Sequence, residues 1–283
     1  MCADAALPAA GEPAEKSGMR NAWGRIADTY EELWTERTAH LTARGLDLLE
    51  PPPGGAGCDI GCGPGVTTRA LADRMPQGRV LGVDFAPQMV ERARERHGAP
   101  GVDFAVDDAE RLSLDDASFD VVTCSLGLMY CYDPRAALGH MRRVLRPGGR
   151  VMLLVWGNAQ RVWWSPAIDL IESRAQYYAS VCPMMFFYGL PGVLSRMTAE
   201  AGLRVLHDER VDGVMGFPDA EVAAQAPTIG GPLAGIYTNR LDATQQAEVR
   251  ASLLEHVARL AEVEEGGGVR LPAEVRVVVA TPA

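Results

Sequence analysis

Short apolar runs alternate with amphipathic stretches through the middle of the chain. Runs rich in Val, Ile and Leu and bounded by turn residues predict β-strands, and apolar residues spaced three and four apart predict helices. We expect strands near residues 57–60, 79–84, 102–106, 119–124 and 150–156, and helices near 66–74, 86–97 and 134–146. Strands that alternate with helices indicate a parallel sheet covered by helices on both faces.

The pattern changes on the N-terminal side of this region. Residues 1–20 are rich in Ala, Pro, Gly and Glu and show no apolar period, which predicts a disordered tail. The stretch from Asn21 to Glu50 has a helical period. Residues 21–156 are therefore expected to form N-terminal helices followed by the α/β core.

The pattern also changes after the fifth predicted strand. Residues 157–190 form an aromatic-rich insertion, and residues 191–283 are expected to complete the core. Within the latter, the Val-rich segments 203–212 and 274–280 alternate and predict an antiparallel pair of strands. Residues 215–268 predict a mostly helical insertion between those two strands.

Length and composition are those of an ordinary globular protein. A chain of 283 residues has room for about two structural units. Its residues are 47% hydrophobic and 23% charged, and no window approaches the ~18 consecutive apolar residues of a membrane span. The net charge of −10 is unfavourable for binding a nucleic acid backbone. We expect neither a nucleic acid nor a membrane partner, and either a monomer or a homodimer.

The six cysteines do not form the paired C-x-x-C pattern of a zinc site, so no metal is expected. A trio such as Cys58, Cys131 and Cys182 would suit arsenic methylation, which is kept as a minor alternative. Free thiols and the lack of a signal sequence predict a cytoplasmic protein.

The most informative motif is a glycine-rich turn between the first predicted strand and helix, Asp59-Ile60-Gly61-Cys62-Gly63-Pro64-Gly65. Its G-x-G-x-G spacing places Val66 where a nicotinamide-binding loop keeps a small residue, which argues against a dehydrogenase. The second strand ends in Asp84, 19 residues after Gly65. A carboxylate at that point of a doubly wound sheet is placed to accept hydrogen bonds from the hydroxyls of a ribose.

On these residues the chain resembles the class I S-adenosylmethionine methyltransferases, in the branch of the ubiquinone and menaquinone C-methyltransferases. The resemblance covers roughly residues 20–156 and rests on five motifs in the family's order: Asp59 to Gly65, Val83-Asp84, Asp108 to Leu112, Ser118 to Val122, and Arg143 to Gly149. It implies an α/β fold, a Rossmann-like sheet of seven strands with a helical cap. It also implies S-adenosylmethionine as cofactor and S-adenosylhomocysteine as product.

The resemblance assigns the cofactor to a set of residues at the carboxyl ends of the strands. Asp84 is expected to hold the ribose, Asp108 and Ala109 the adenine, and Asp59 to order the glycine loop. Asp107 replaces a glycine common among relatives and competes with Asp108 for the adenine. The full set is Tyr30, Asp59, Gly61, Gly63, Gly65, Asp84, Phe85, Met89, Asp107, Asp108, Ala109 and Ser125.

The methyl acceptor is expected to be a small apolar or aromatic molecule, methylated at O, C or N. Aromatic residues are concentrated between 156 and 188, where a cap above the cofactor would form an apolar pocket. The expected pocket residues are Met129, Tyr130, Trp163, Trp164, Tyr178 and Phe187. Packing of these aromatics in the cap's own core or in a dimer interface is an equal alternative for this cluster.

No motif identifies a general base. Tyr130, Tyr177, Tyr178 and His40 are weak candidates. Three other functions stay open: quinone C-methylation, a cyclase-like enzyme that binds S-adenosylmethionine without transferring its methyl group, and a non-enzymatic binding protein.

Overall fold

The computed structural model describes residues 14–178 and 184–283. Its strands are β1 (Ala56–Ile60), β2 (Arg79–Asp84), β3 (Val102–Val106), β4 (Phe119–Ser125), β5 (Leu145–Trp156), β6 (Leu203–Phe217), β7 (Glu262–Val263) and β8 (Val269–Pro282). They form one sheet in the order β3-β2-β1-β4-β5-β8-β6, with β7 paired to β8. The predicted α/β, Rossmann-like sheet of seven strands is confirmed, with the two-residue β7 added beside it.

The pairing of the strands follows from their connections. Strands β1 to β5 pair in parallel, whereas β8 runs antiparallel to both β5 and β6. The order of the strands therefore reverses at β1: β2 and β3 are added on one side of it, and β4 and β5 on the other, so β1 and β4 are neighbours in the sheet but not in sequence. A crevice at such a switch point is where open α/β sheets bind ligands.

Helices cover both faces of the sheet. They are α1 (Ala14–Tyr30), α2 (Glu36–Leu49), α3 (Val66–Arg74), α4 (Pro87–His97), α5 (Pro134–Val144), α6 (Pro166–Ala175), α7 (Met184–Phe187), α8 (Val193–Glu200), α9 (Ala220–Ile229), α10 (Gly231–Arg240) and α11 (Ala243–Leu260). A π-helical turn, Glu31–Thr35, joins α1 to α2. Between β6 and β8 the chain forms α9 to α11 and β7, and β6 itself runs on to Phe217.

The N-terminal boundary was predicted wrongly. Residues 14–20 belong to α1, and Met19 and Trp23 of that helix are buried against Ala86 and Met89. Composition suggested a tail because the helix depends on burial against α4 rather than on its own sequence. Residues 1–13 and Cys182 lie outside the described residues.

No helix within the described ranges combines the length and the apolar character that crossing a bilayer requires.

Candidate active site

A large cleft lies at the carboxyl ends of β1, β2 and β4, at the switch point of the sheet. We call it the main cleft; its empty space, including the mouth, is about 980 Å³. The residues predicted to hold the cofactor that line it are Tyr30, Gly61, Asp84, Phe85, Met89, Asp107, Asp108, Ala109 and Ser125. The structure thus brings together side chains from four strand ends and one N-terminal helix.

The glycine loop forms one wall of the main cleft. Gly61, Gly63 and Gly65 have φ values of 71°, 53° and 98°, in the left-handed region that glycine adopts without strain. The amides of Gly61 and Cys62 both donate to the carbonyl of Val83, at 2.8 and 3.0 Å, and so tie the loop to β2. Gly61 lines the cleft, whereas Gly63 and Gly65 shape the turn behind it.

Asp84 connects the loop, β2 and the next helix. Its Oδ2 accepts from the Gly63 amide and its Oδ1 from the Ala86 amide, each at 2.9 Å. Burial raises the pKa of Asp84 to about 6, while the amide hydrogen bonds act in the opposite direction. A carboxylate offers about four acceptor positions, so two remain for a ligand in the cleft.

Asp59 lies behind the loop and does not line the main cleft. It accepts hydrogen bonds from the hydroxyls of Thr68 and Thr123, both at 2.7 Å. Burial raises its pKa to about 6 as well. These contacts fit the predicted role of ordering the loop and do not place Asp59 against a ligand.

The two neighbouring carboxylates after β3 have different partners. Asp107 accepts from the amide and the hydroxyl of Ser113, at 3.0 and 2.9 Å, and holds its own loop. Asp108 also lines the cleft, and its Oδ2 lies 2.6 Å from the ammonium of Lys16. The geometry favours Asp108 over Asp107 as the residue that meets a ligand.

Lys16 was missed by sequence reasoning because it lies in the segment that was assigned to a tail. It is the only lysine of the chain and is buried, with Glu110 as a second partner at 3.1 Å. Burial lowers its pKa and the two carboxylates raise it, with a net increase. Lys16 is the one cation among the described residues that line the main cleft, against four carboxylates: Asp84, Asp107, Asp108 and Glu110.

Helix α1 covers the main cleft with aromatic side chains. Trp23 packs edge-on against Tyr30 and Tyr130, with ring centroids 5.0 and 4.9 Å apart. Burial and the negative charge of Asp84 raise the pKa of the Tyr30 phenol. Tyr30 therefore lines the main cleft from the C-terminal end of α1.

A second, smaller cavity adjoins the main cleft, and we call it the tryptophan cavity; its empty space, including the part open to solvent, is about 350 Å³. Three indoles line it: those of Trp34 and Trp164 lie 5.7 Å apart, and that of Trp156 lies 5.6 Å from Trp164. Tyr30 and Tyr130 line both spaces and form the boundary between them. Trp34 and Trp156 were not predicted as pocket residues, because only the topology brings the π-helical turn and the end of β5 together.

Several predicted acceptor residues lie elsewhere. Trp163 is buried against Phe217, with ring centroids 5.3 Å apart. Met129 is buried in the core, and the side chains of Tyr178 and Phe187 are exposed. None of these four lines the main cleft or the tryptophan cavity, whereas Tyr130 lines both spaces and Trp164 lines the tryptophan cavity.

Of the weak candidates for a base, only Tyr130 lies at the site. His40 lines a separate surface depression with Glu32 and Arg37, and burial lowers its pKa. Tyr177 stacks beneath the guanidinium of Arg240 at 3.9 Å. Among the described residues, no group of His, Cys, Asp and Glu is arranged to hold a metal ion.

Comparison with known proteins places this geometry in a family. A family model described as "Methyltransferase domain" matches residues 58–153. The chain is 31% identical to the 2-phytyl-1,4-naphtoquinone methyltransferase of Thermosynechococcus vestitus, over 70% of this chain and 96% of that one. It is 38% identical to an uncharacterized 37.1 kDa protein in transposon TN4556 of Streptomyces fradiae, over 64% of this chain and only about half (52%) of that protein.

The fold agrees with these relatives. The solved structure of the YcgJ protein of Bacillus subtilis superposes with a TM-score of 0.58 at 18% identity, over 88% of this chain and 99% of that one. The main cleft at the switch point, the glycine loop and the carboxylate at the end of β2 lie where a cofactor of this fold binds. The chain belongs to the class I S-adenosylmethionine-dependent methyltransferases, in the branch that includes the ubiquinone and menaquinone methyltransferases.

Proposed function

We propose that this methyltransferase acts on a small, flat, apolar or aromatic molecule that binds in the tryptophan cavity, at O, C or N. The observation that carries the proposal is the shared boundary between the two spaces, formed by Tyr30 and Tyr130. Indole faces favour flat apolar ligands. The Thermosynechococcus relative is named for a 2-phytyl-1,4-naphthoquinone, whose ring system is flat.

The residues of the main cleft fit the cofactor. Asp84 has acceptor positions left for the ribose hydroxyls, and Asp108 with the Ala109 amide would meet the adenine. The acidic lining complements a ligand that carries a sulfonium and an ammonium. Glycine at 61 leaves open the space above the loop, since the nearest atom to a Cβ there is the Gly127 Cα at 3.5 Å.

The cofactor supplies an electrophilic methyl group on sulfur, and the chain has to place a nucleophile in line with it. Holding two reacting groups in such a geometry contributes up to about 7–11 kcal/mol in favourable intramolecular cases. Tyr30 and Tyr130 stand where the two ligands would meet and fix their separation. The three indoles exclude water and fix the plane of the acceptor.

The test is transfer of label from methyl-labelled S-adenosylmethionine to a metabolite extract and to a panel of hydroxylated naphthoquinones. Labelled product and stoichiometric S-adenosylhomocysteine are expected. Binding of the cofactor without any labelled product would contradict methyl transfer and favour a cyclase-like enzyme or a binding protein.

Two neighbouring tryptophans provide a matched control for the acceptor site. Trp164→Ala should lower turnover or raise the KM for the acceptor while cofactor affinity is kept, because Trp164 lines the tryptophan cavity. Trp163→Ala removes an equally buried indole that packs on Phe217 outside the cavity, so its effect should be confined to stability. Equal acceptor kinetics in the two folded variants would remove the tryptophan cavity from the proposal.

We also propose a cytoplasmic setting, a monomeric or homodimeric state and no nucleic acid partner. The four described cysteines are free thiols, which suit a reducing compartment. The net charge of −10 disfavours contact with a phosphate backbone.

A further inference from the structure

Two hydrogen-bond donors in the tryptophan cavity have no partner. The indole Nε1 atoms of Trp34 and Trp164 are buried and make no hydrogen bond. The two residues are only 7% and 3% exposed, so both donors lie away from bulk solvent. Native proteins pair nearly all buried donors because an unpaired one costs free energy, so two of them in one cavity require an explanation.

A glycine, which has no side chain, lies directly beside one of these donors. Gly230, at the junction of α9 and α10, lines the cavity beside Trp34. A Cβ at this position would lie 2.9 and 3.0 Å from Cε2 and Cδ1 of Trp34, and closer still to Nε1. The φ of Gly230 is −97°, so the backbone does not need glycine, and the constraint comes from the indole edge.

The rest of the cavity lining carries few polar side chains. Its described lining consists of the three indoles, Tyr30, Tyr130, Met185, Pro227, Gly230, Gly231 and Leu233, and it contains no carboxylate, imidazole or amine. An indole N–H only donates. A ligand that satisfies these donors must therefore present an acceptor atom.

We propose that Trp34 and Trp164 are specificity-determining residues that donate their indole N–H groups to an oxygen on the ring of the methyl acceptor, a carbonyl or a phenolate. This inference rests on the proposed function and narrows its substrate class from apolar rings in general to oxygen-bearing ones. Donation to a phenolate favours its ionised form, which is the better nucleophile for methyl transfer. A hydrocarbon of the same shape would leave both donors unpaired and bind more weakly.

A matched pair of probes tests the inference: 1-tetralone, which carries one ring carbonyl, and tetralin, which does not. Both are titrated by calorimetry into the protein saturated with S-adenosylhomocysteine. We expect 1-tetralone to bind at least ten-fold tighter than tetralin. Trp34→Phe and Trp164→Phe, which keep an aromatic ring but remove the N–H, should each lose most of that preference.

Trp163→Phe is the control, because Trp163 also has an unpaired buried Nε1 but lies outside the cavity. It should keep the full preference for 1-tetralone. A second measurement on the unmutated protein covers the case in which a variant fails to fold. In a ¹⁵N spectrum, 1-tetralone should shift the indole N–H signals of Trp34 and Trp164 downfield, and tetralin should not.

Equal affinity for the two probes, binding of neither, or unshifted indole signals would overturn the inference. Titration of S-adenosylhomocysteine into the unmutated protein and its three Trp→Phe variants separates a failure of oxygen recognition from a failure of the proposed function. Normal cofactor binding with no discrimination between probes removes only the oxygen recognition. Loss of cofactor binding in a Phe variant would instead place that indole in the main cleft.

Discussion

At the scale of single residues, Asp84 is the group on which cofactor binding is expected to depend most. Each of its carboxylate oxygens already accepts one backbone amide, from Gly63 and from Ala86. The same side chain thus fixes the glycine loop and offers its remaining acceptor positions to the cleft. Its position at the end of β2 was readable from the sequence, whereas its contacts to the loop required the fold.

Asp84→Asn should weaken the binding of S-adenosylhomocysteine at least ten-fold. The substitution keeps the shape of the side chain but replaces charge-assisted hydrogen bonds, each worth about 1.5–3 kcal/mol. The measurement is calorimetric titration, with a thermal melt to verify folding. Asp73→Asn, at a residue of α3 paired to Arg69 by an i,i+4 ion pair, is the control and should bind normally. Unchanged affinity in a folded Asp84→Asn protein would remove this residue from the site.

Cofactor affinity should also fall as the pH is lowered through about 6. The raised pKa of Asp84 means that its carboxylate is ionised above about pH 6 and protonated below it. A ligand whose hydroxyls donate to the carboxylate favours the ionised form, so affinity is full above this pH and is lost as protons bind. Titrations from pH 7 to pH 5 check this.

Asp59 also titrates near pH 6, but it faces Thr68 and Thr123 rather than the cleft. Asp84→Asn therefore separates the two carboxylates, because cofactor affinity in that variant should depend less on pH between pH 7 and pH 5. The same slope in both proteins would assign the pH dependence to Asp59 or to another group.

At the scale of elements, the two spaces of the site are built by different parts of the chain. The ends of β1, β2 and β4 form the floor of the main cleft, whereas the tryptophan cavity joins the π-helical turn, the end of β5 and the junction of α9 and α10. The π-helical turn follows Tyr30 directly, so one short segment presents Tyr30 to the main cleft and Trp34 to the tryptophan cavity. Irregular turns of this kind are frequent at functional sites.

Gly230→Ala should fill the space beside the Trp34 indole. We expect weaker binding of the acceptor, a lower melting temperature and unchanged cofactor affinity, because the added methyl group meets the ring and not the main cleft. Gly235→Ala in α10 is the matched control, since a Cβ there meets nothing within 4 Å. It should instead stabilise the helix by about 0.5–1 kcal/mol. Acceptor kinetics that are equal in both variants would contradict the place given to the α9–α10 junction.

At the scale of the whole molecule, the sequence predicted what depends on local period and failed where distant segments meet. The bounds of β2 and β3 agree with the prediction, because the apolar run of β2 and the alternating pattern of β3 can both be read from the local sequence. The tryptophan cavity could not be predicted, since Trp34 and Trp156 are far apart in sequence. Lys16 was missed because composition alone assigned its helix to a tail.

Lys16 allows the closure of α1 over the sheet to be measured directly. As the only lysine, it gives a single internal signal with an amine-reactive reagent. Its burial against Asp108 and Glu110, together with its raised pKa, should make labelling slow, because such reagents need an accessible and neutral amine. Arg25→Lys adds an amine to the exposed face of the same helix as a matched reference.

In the Arg25→Lys protein the introduced amine should react at least ten-fold faster than Lys16. Saturating S-adenosylhomocysteine should slow the labelling of Lys16 further, because α1 then closes over a filled cleft. Equal rates at the two amines would show that α1 is not held on the sheet, and a rate at Lys16 that the ligand leaves unchanged would show that α1 does not cover the cofactor.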